Sequence, residues 1–177
     1  MERGHIEALM RAGSDPETWQ WYPVAPLLGV DAMRAHVEKA LAEREAGRLL
    51  PFVILERSSG EVLGSTRFMA IEAAHRRLEI GATWLKPSAR GTRVNPEAKL
   101  LLLQYAFETL GCVRVEFKTD ALNARSRAAL LKLGAKEEGT LRNHMITASG
   151  RLRDSVYFSI LPEEWPALRA GLQARLQ

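Results

Sequence analysis

The stretch from Leu78 to Leu110 constrains this chain more than any other. A strand-like run, Leu78-Glu79-Ile80-Gly81-Ala82-Thr83-Trp84-Leu85, feeds the basic loop Lys86-Pro87-Ser88-Ala89-Arg90-Gly91-Thr92-Arg93-Val94. A helix then opens at Asn95-Pro96-Glu97. Strand, basic glycine-containing loop and helix in that order build an anion site, because the first backbone N–H groups of a helix lack internal partners and point at whatever sits before them. Asn95 is the expected N-cap and Pro96 the expected first helical residue. Gly91 lets a ligand approach the backbone closely at one point. A second unit repeats the theme: the strand Val113–Thr119, then Asn123-Ala124-Arg125-Ser126 opening a short helix that ends near Gly134.

Charge agrees with an anionic ligand for the loop. Arginine outnumbers lysine 19 to 6, and Lys86 to Lys136 holds ten Lys/Arg against four Asp/Glu, a local surplus larger than the +4 of the whole chain. A basic surplus around a phosphate cradle suits a polyanionic cofactor. The chain is 46% hydrophobic and 26% charged over 177 residues, which fits one globular domain spanning 1–177. No apolar run approaches a membrane span and no signal peptide opens the chain, so a cytoplasmic location is expected. The single Cys112 has no partner for an internal disulfide. His5, His36, His75 and His144 show no paired ligand spacing, so no metal is expected. Dinucleotide, nucleoside triphosphate and acyl-serine motifs are absent from the sequence.

Periodicity gives the rest of the order. Helices are expected over His5–Arg11, Val30–Ala46, Glu97–Thr109, Ser126–Leu133 and Glu163–Leu176, and strands over Phe52–Glu56, Val62–Ala70, the Trp84 run, Val113–Thr119, Ala135–Leu141 and Ser155–Ile160. The fold class is therefore α/β in the α+β sense, a mixed, mostly antiparallel sheet flanked by helices. The sheet should turn parallel between the Trp84 and Val113 strands, where a helix makes the crossover.

These segments resemble the GNAT superfamily of N-acetyltransferases, and within it the ribosomal-protein N-terminal acetyltransferase branch. The landmarks arrive in that branch's order: the Arg90-Gly91 loop, Tyr105-Ala106-Phe107-Glu108, Asn123 with Ser126, Lys132-Leu133-Gly134, Glu138-Gly139-Thr140-Leu141-Arg142, Arg153-Asp154 and Glu163-Glu164-Trp165. The resemblance spans roughly residues 5 to 175. The superfamily loop, Gln/Arg-x-x-Gly-x-Gly/Ala, is matched here by Ser88, Gly91 and Arg93, so only its central glycine is kept. Members usually begin with a strand before the first helix, and here only Met1 to Gly4 precede it. That first strand is expected to be missing, leaving Phe52–Glu56 as a sheet edge covered by the same chain, paired with a second protomer, or exposed.

The resemblance implies acetyl-CoA as co-substrate and a primary amine as acceptor. The pyrophosphate would rest on the backbone N–H groups of Arg90, Gly91, Thr92, Arg93 and Val94, and the pantetheine would pair with Thr83, Trp84, Leu85 and Lys86. Asn123 would contact the pantetheine arm or be a turn residue. Ser126 would protonate the departing thiolate or cap its helix, the family's commoner tyrosine being replaced by Leu130. Glu79 is the candidate base, since amine acetylation needs a carboxylate within reach of the ammonium proton or one water away. Trp19, Trp21 and Tyr22 would line the acceptor groove or pack in the core. An N-terminal α-amine, with a pKa of ~7.7–8, needs less help than a lysine near ~10.4, which tilts the acceptor toward protein N-termini. A small-molecule amine, polyamine or antibiotic acceptor and a non-catalytic acyl-CoA sensor are the alternatives. Nucleic acid is not an expected partner, and a two-fold homodimer is the expected assembly.

Overall fold

The computed structural model describes all 177 residues. A tight turn at Arg3–His5 leads into α1 (Ile6–Ala12) and, after a connector, α2 (Val30–Glu45). Then come β1 (Leu50–Leu55), β2 (Val62–Glu72), β3 (Arg77–Leu85), α3 (Val94–Gln104), β4 (Arg114–Asp120), α4 (Ala124–Leu133), β5 (Lys136–Ile146), β6 (Leu152–Ile160) and α5 (Trp165–Leu176). The six strands form one sheet in the order β1-β2-β3-β4-β6-β5. Every neighbouring pair is antiparallel except β3 and β4, which α3 joins in parallel. The mixed sheet read from the sequence is the one found.

The two faces of the sheet are covered unequally. On one, Phe68, Leu78, Ile80, Val115, Phe117, Val156, Phe158 and Ile160 meet Leu103 and Ala106 of the α3 segment, Leu130 and Leu133 of α4, and Trp165 and Leu172 of α5 in one continuous core. Alternation along β4 and β6 supplies these residues, every second side chain pointing the same way. On the other face, α1 and α2 bury Ile6, Leu9, Met33, Val37 and Leu41 against Val62, Trp84 and Trp19. That second core belongs to the β1–β3 end of the sheet. The alternate residues of β4 and β6 beyond it are polar: Glu116, Lys118 and Asp120 lie opposite Ser159, Tyr157 and Ser155.

Helix boundaries differ from the sequence reading at α3. Its N-cap is Arg93, without a side-chain cap, so Asn95 is not the cap and Pro96 is the third helical residue. The earlier start is tolerated because no N–H of the first turn has an intrahelical acceptor, so proline there loses nothing. Thr92 Oγ1 accepts the Val94 N–H at 3.3 Å in place of the expected cap. At its other end α3 widens: the Leu110 N–H reaches back five residues to Tyr105 O at 3.0 Å. No strand precedes α1 in this chain, and β1 is a sheet edge paired with β2 alone. A segment of the same chain covers part of that edge, since the terminal ammonium of Met1 donates to Pro51 O at 3.1 Å, and Pro51 has no N–H to offer a further strand. No helix is long and apolar enough to cross a membrane.

Candidate active site

The parallel pair β3–β4 is short. Arg77, Leu78 and Glu79 pair with Arg114, Val115 and Glu116, and beyond Glu79 the two strands part. The cause lies in β3. Ser65 pairs with Trp84 and Arg67 with Gly81, so β3 carries one residue more than β2 between the same two rungs, a bulge. Ala82 in that bulge has φ 48°, the left-handed region, which costs a non-glycine residue on the order of 1–3 kcal/mol. Tyr22 holds it: its hydroxyl donates to Ala82 O at 2.8 Å, a bond worth ~1 kcal/mol. Burial pushes the Tyr22 phenol up to about 12, so it remains a donor at any physiological pH.

Glu79 sits at the point where the strands part, on the polar face. It is 4% exposed, its carboxylate 3.4 Å from Lys118 Nζ. Gly81 makes room for it, since a Cβ there would meet Glu79 Oε1 at 2.7 Å and Met69 Sδ at 2.8 Å. Burial raises the Glu79 pKa, Lys118 pulls it back, and Glu116 adds a smaller push upward. A carboxylate poised above its ordinary range and one side chain deep is suited to taking a proton from an ammonium. Cys112 is buried in the core with its thiol pushed up by desolvation, and is no nucleophile.

On the opposite face the gap is entered by a residue that the sequence reading did not single out. Lys99, from the second turn of α3, is 5% exposed; its Nζ donates to Thr83 Oγ1 at 2.9 Å and lies 5.7 Å from the centre of the Phe117 ring. Thr83 Oγ1 also lies 2.8 Å from Thr66 Oγ1. Burial draws the Lys99 ammonium down to about 7, with Glu79 the one charge that opposes the shift. The signal was present in the spacing, for Lys99 precedes the fully buried Leu103 by four positions and shares its apolar stripe.

The loop after β3 offers backbone rather than side chains. Gly91 has φ 73°, which a larger residue adopts only under strain. The N–H groups of Gly91, Thr92 and Arg93 have no acceptor, whereas those of Arg90 and Val94 are taken by Pro87 O and Thr92 Oγ1. Of the five N–H groups expected to form the cradle, three are therefore free. The basic side chains are committed elsewhere. Lys86 pairs with Glu61, and Arg93 lies exposed 3.7 Å from Glu97. The Arg90 guanidinium turns back to Leu85 O at 3.0 Å, to Asp15 at 3.3 Å and to Thr18. Along β3, the Lys86 N–H is engaged by Leu63 O, and strand alternation turns the backbone of Thr83 and Leu85 toward the gap.

Three free N–H groups beside a parted parallel pair fit an extended ligand with a phosphate end. A family model described as an acetyltransferase (GNAT) domain matches residues 1–136. The chain belongs to the GNAT acetyltransferase family. It is 30% identical over 165 residues to N-acetyltransferase p20 of Bacillus licheniformis, covering 93% of this chain and 92% of that one. A crystal structure named for an acetyltransferase of T. thermophilus superposes with a TM-score of 0.88 at 41% identity, over 100% of this chain and 91% of the other. Mycobacterium smegmatis RimJ in complex with CoA-disulfide superposes with a TM-score of 0.82 at 26% identity, over 99% of this chain and 86% of that one. As a GNAT enzyme the protein is an acetyl-CoA-dependent N-acetyltransferase.

The remaining expected residues divide. Asn123 is the N-cap of α4, its Oδ1 accepting the Ser126 N–H at 3.0 Å, so the capping role weighed for Ser126 belongs to Asn123. The Ser126 side chain stays half-buried at the mouth of the helix. Trp19 is a core residue, 2% exposed, donating to Gly13 O and packed 5.0 Å from Trp84. Of the two roles weighed for it, lining the groove or packing in the core, Trp19 takes the core. Trp21 and Tyr22 are half-buried in the connector, with Trp21 6.0 Å from the Arg151 guanidinium.

Lys99 gives a test by linkage. Between its folded value near 7 and an unfolded value of ~10.4 the denatured chain holds a proton that the native site releases, so this residue makes stability rise with pH across that window. The difference in urea midpoint between wild type and Lys99→Met should grow in favour of wild type from pH 7 to 9.5; parallel profiles would show an ordinary solvated lysine.

Proposed function

We propose that the protein acetylates a primary amine by direct transfer, with Glu79 as base and the free N–H groups of Gly91, Thr92 and Arg93 as the pyrophosphate seat. The parting of β3 from β4 beside those N–H groups carries the reading. Bound acetyl-CoA supplies a thioester carbon activated toward amines. The residues do the rest. Thr83 and Leu85 offer backbone pairing to the pantetheine from the open side of β3, beside Trp84 and Lys86, and Lys99 offers its ammonium from below. Glu79 receives the proton that the acceptor ammonium loses, and a new N–C bond replaces the C–S bond. Ser126, at the start of α4, stands ready to return a proton to the leaving sulfur.

The acceptor reaches Glu79 over the polar face of β4 and β6. Two loops frame this approach: the connector through Trp21 and Tyr22, and the turn between β5 and β6, joined where the Ala148 N–H donates to Pro23 O at 3.0 Å. A weakly basic amine, such as a protein N-terminus, suits a single carboxylate base. The fully built base and seat favour catalysis over a silent acyl-CoA sensor.

Acetyl-CoA should raise the melting temperature by mass action, and Gly91→Val should remove that shift by straining the loop backbone; an unchanged shift would move the pyrophosphate elsewhere. Glu79→Gln should lower kcat by roughly 10²-fold with little change in acetyl-CoA affinity. The loss should be largest where the acceptor is still protonated but Glu79 is ionised. Since burial raises the Glu79 pKa, the acid limb of the wild-type profile should lie above the ordinary carboxylate range and vanish in the variant; a limb that survives the substitution assigns the base to another group. For the assembly, the exposed Leu50 and Leu55 at the β1 edge support a two-fold homodimer. Light scattering should return twice 19.8 kDa, reduced by Ile54→Lys, and a monomer at high concentration would refute it.

A further inference from the structure

On the polar face beyond Glu79, three buried polar atoms lack a partner: Arg153 Nε, Ser155 Oγ and His144 Nδ1. Buried polar groups are almost always hydrogen-bonded, so three orphans in one region need an explanation. Arg153 is 5% exposed and Ser155 0%, and the two lie two residues apart on the same face of β6. His144, on the facing strand β5, has its ring 5.8 Å from that of Tyr157, the next residue of the same row. Lys118, also against the Tyr157 ring at 5.6 Å, completes the group.

The charges of this cluster do not balance. Asp120 is the nearest carboxylate to Arg153, at 3.8 Å, too far for a hydrogen bond. Its oxygens are already used, Oδ1 by the Leu122 N–H and Oδ2 by Arg151. Glu79 is matched by Lys118, and Glu116 is held by Arg77 and Arg114. Asp154, the next residue on β6, accepts from the Asn143 N–H instead. Desolvation lowers the His144 pKa, and the positive charges of Lys118 and Arg153 lower it further. Asp120 is thus shared by two guanidiniums, hydrogen-bonded to Arg151 and only an ion-pair neighbour of Arg153, so this buried cluster holds one positive charge more than it has carboxylates, an imbalance that an arriving anion would relieve. Lys118 links this cluster to Glu79, its ammonium 3.4 Å from the Glu79 carboxylate and 5.6 Å from the ring of Tyr157, the neighbour of Ser155 in the row, so the missing anion and the acceptor amine share one groove.

We infer that Arg153, assisted by Ser155 and His144, binds a carboxylate carried by the acceptor itself, so that the preferred substrate is an amino-carboxylate rather than a plain amine. This rests on the reading of Glu79 as the acetylation base. A single surplus positive charge matches a monoanion, and the planar guanidinium fork with a flanking hydroxyl matches carboxylate geometry. The carboxylate is either that of a free amino acid or the acidic side chain of a peptide near its N-terminus; both put the amine and the anion on one molecule.

The test uses the full chain saturated with CoA. Melting temperatures are measured with N-acetylglycine, N-acetylalanine and N-acetylglutamate, with their amides, and with acetylated dipeptide amides that do or do not carry an aspartate. At least one carboxylate should raise the melting temperature while its amide does not, and the responding set tells a free amino acid from an acidic peptide. In turnover, the matching amino-carboxylate should exceed its amide in kcat/KM by 10-fold or more. Arg153→Met should abolish the discrimination yet melt no lower than wild type, because it removes the surplus charge of the cluster and leaves Asp120 paired with Arg151; a structural arginine would instead cost stability. Ser155→Ala should weaken the carboxylate response without destabilising the fold. Equal responses to acids and amides, or a preference that survives Arg153→Met, would overturn the inference. Loss of the CoA-induced shift would instead strike at the acetyltransferase reading, and the carboxylate response measured without CoA would still decide this one.

Discussion

Three paired residues on each side hold β3 to β4, and everything chemical in this protein follows from the pairing stopping there. A parallel pair joined by one helix would ordinarily zip along its length. Here the extra residue at Ala82 turns the β3 backbone away, and the Tyr22 hydroxyl fixes the turn. The gap opens on both faces of the sheet at once. Lys99 occupies it from the α3 side and the Glu79 carboxylate borders it from the other, so the gap is lined by an amine below and a buried carboxylate above.

The unequal covering of the sheet decides which side that is. The α1–α2 layer reaches only as far as β3, because its apolar residues are matched by Val62 and Trp84 and by nothing on β4 or β6. Past that limit the strands alternate apolar residues toward α3–α5 with polar ones toward the open face. A groove bordered by the connector and the β5–β6 turn is what remains when six strands are covered by two helices on one side and three on the other.

Much of this could be read from the chain alone. The succession of strands and helices along the chain, the parallel crossover through α3, the Gly91 turn and the position of Glu79 follow from periodicity, glycine chemistry and family resemblance. The errors were of one kind, in that side chains were assigned by type and not by partner. Asn95 is a good cap residue, but Pro96 tolerates the third helical position as well as the first, so the helix began earlier. Arg90 is expected to offer its backbone N–H to the pyrophosphate, but that N–H is taken by Pro87 O and the guanidinium is an internal strut. Lys99 is not singled out by the sequence and Arg153 enters only within the Arg153-Asp154 landmark, because desolvation is a property of the neighbours and leaves little mark in the residue itself. The apolar stripe shared with Leu103 was the available hint for Lys99; for Arg153 the imbalance becomes visible only once Asp120 is seen to be taken.

The strut has a mechanical consequence. Arg90 immediately precedes the free N–H groups of the loop, and its guanidinium grips Asp15 and Thr18 of the connector whose far end carries Trp21 and Tyr22. The loop after β3 and the connector between α1 and α2 are thereby one mechanical unit, since a displacement of either is transmitted to the other through a single half-buried fork.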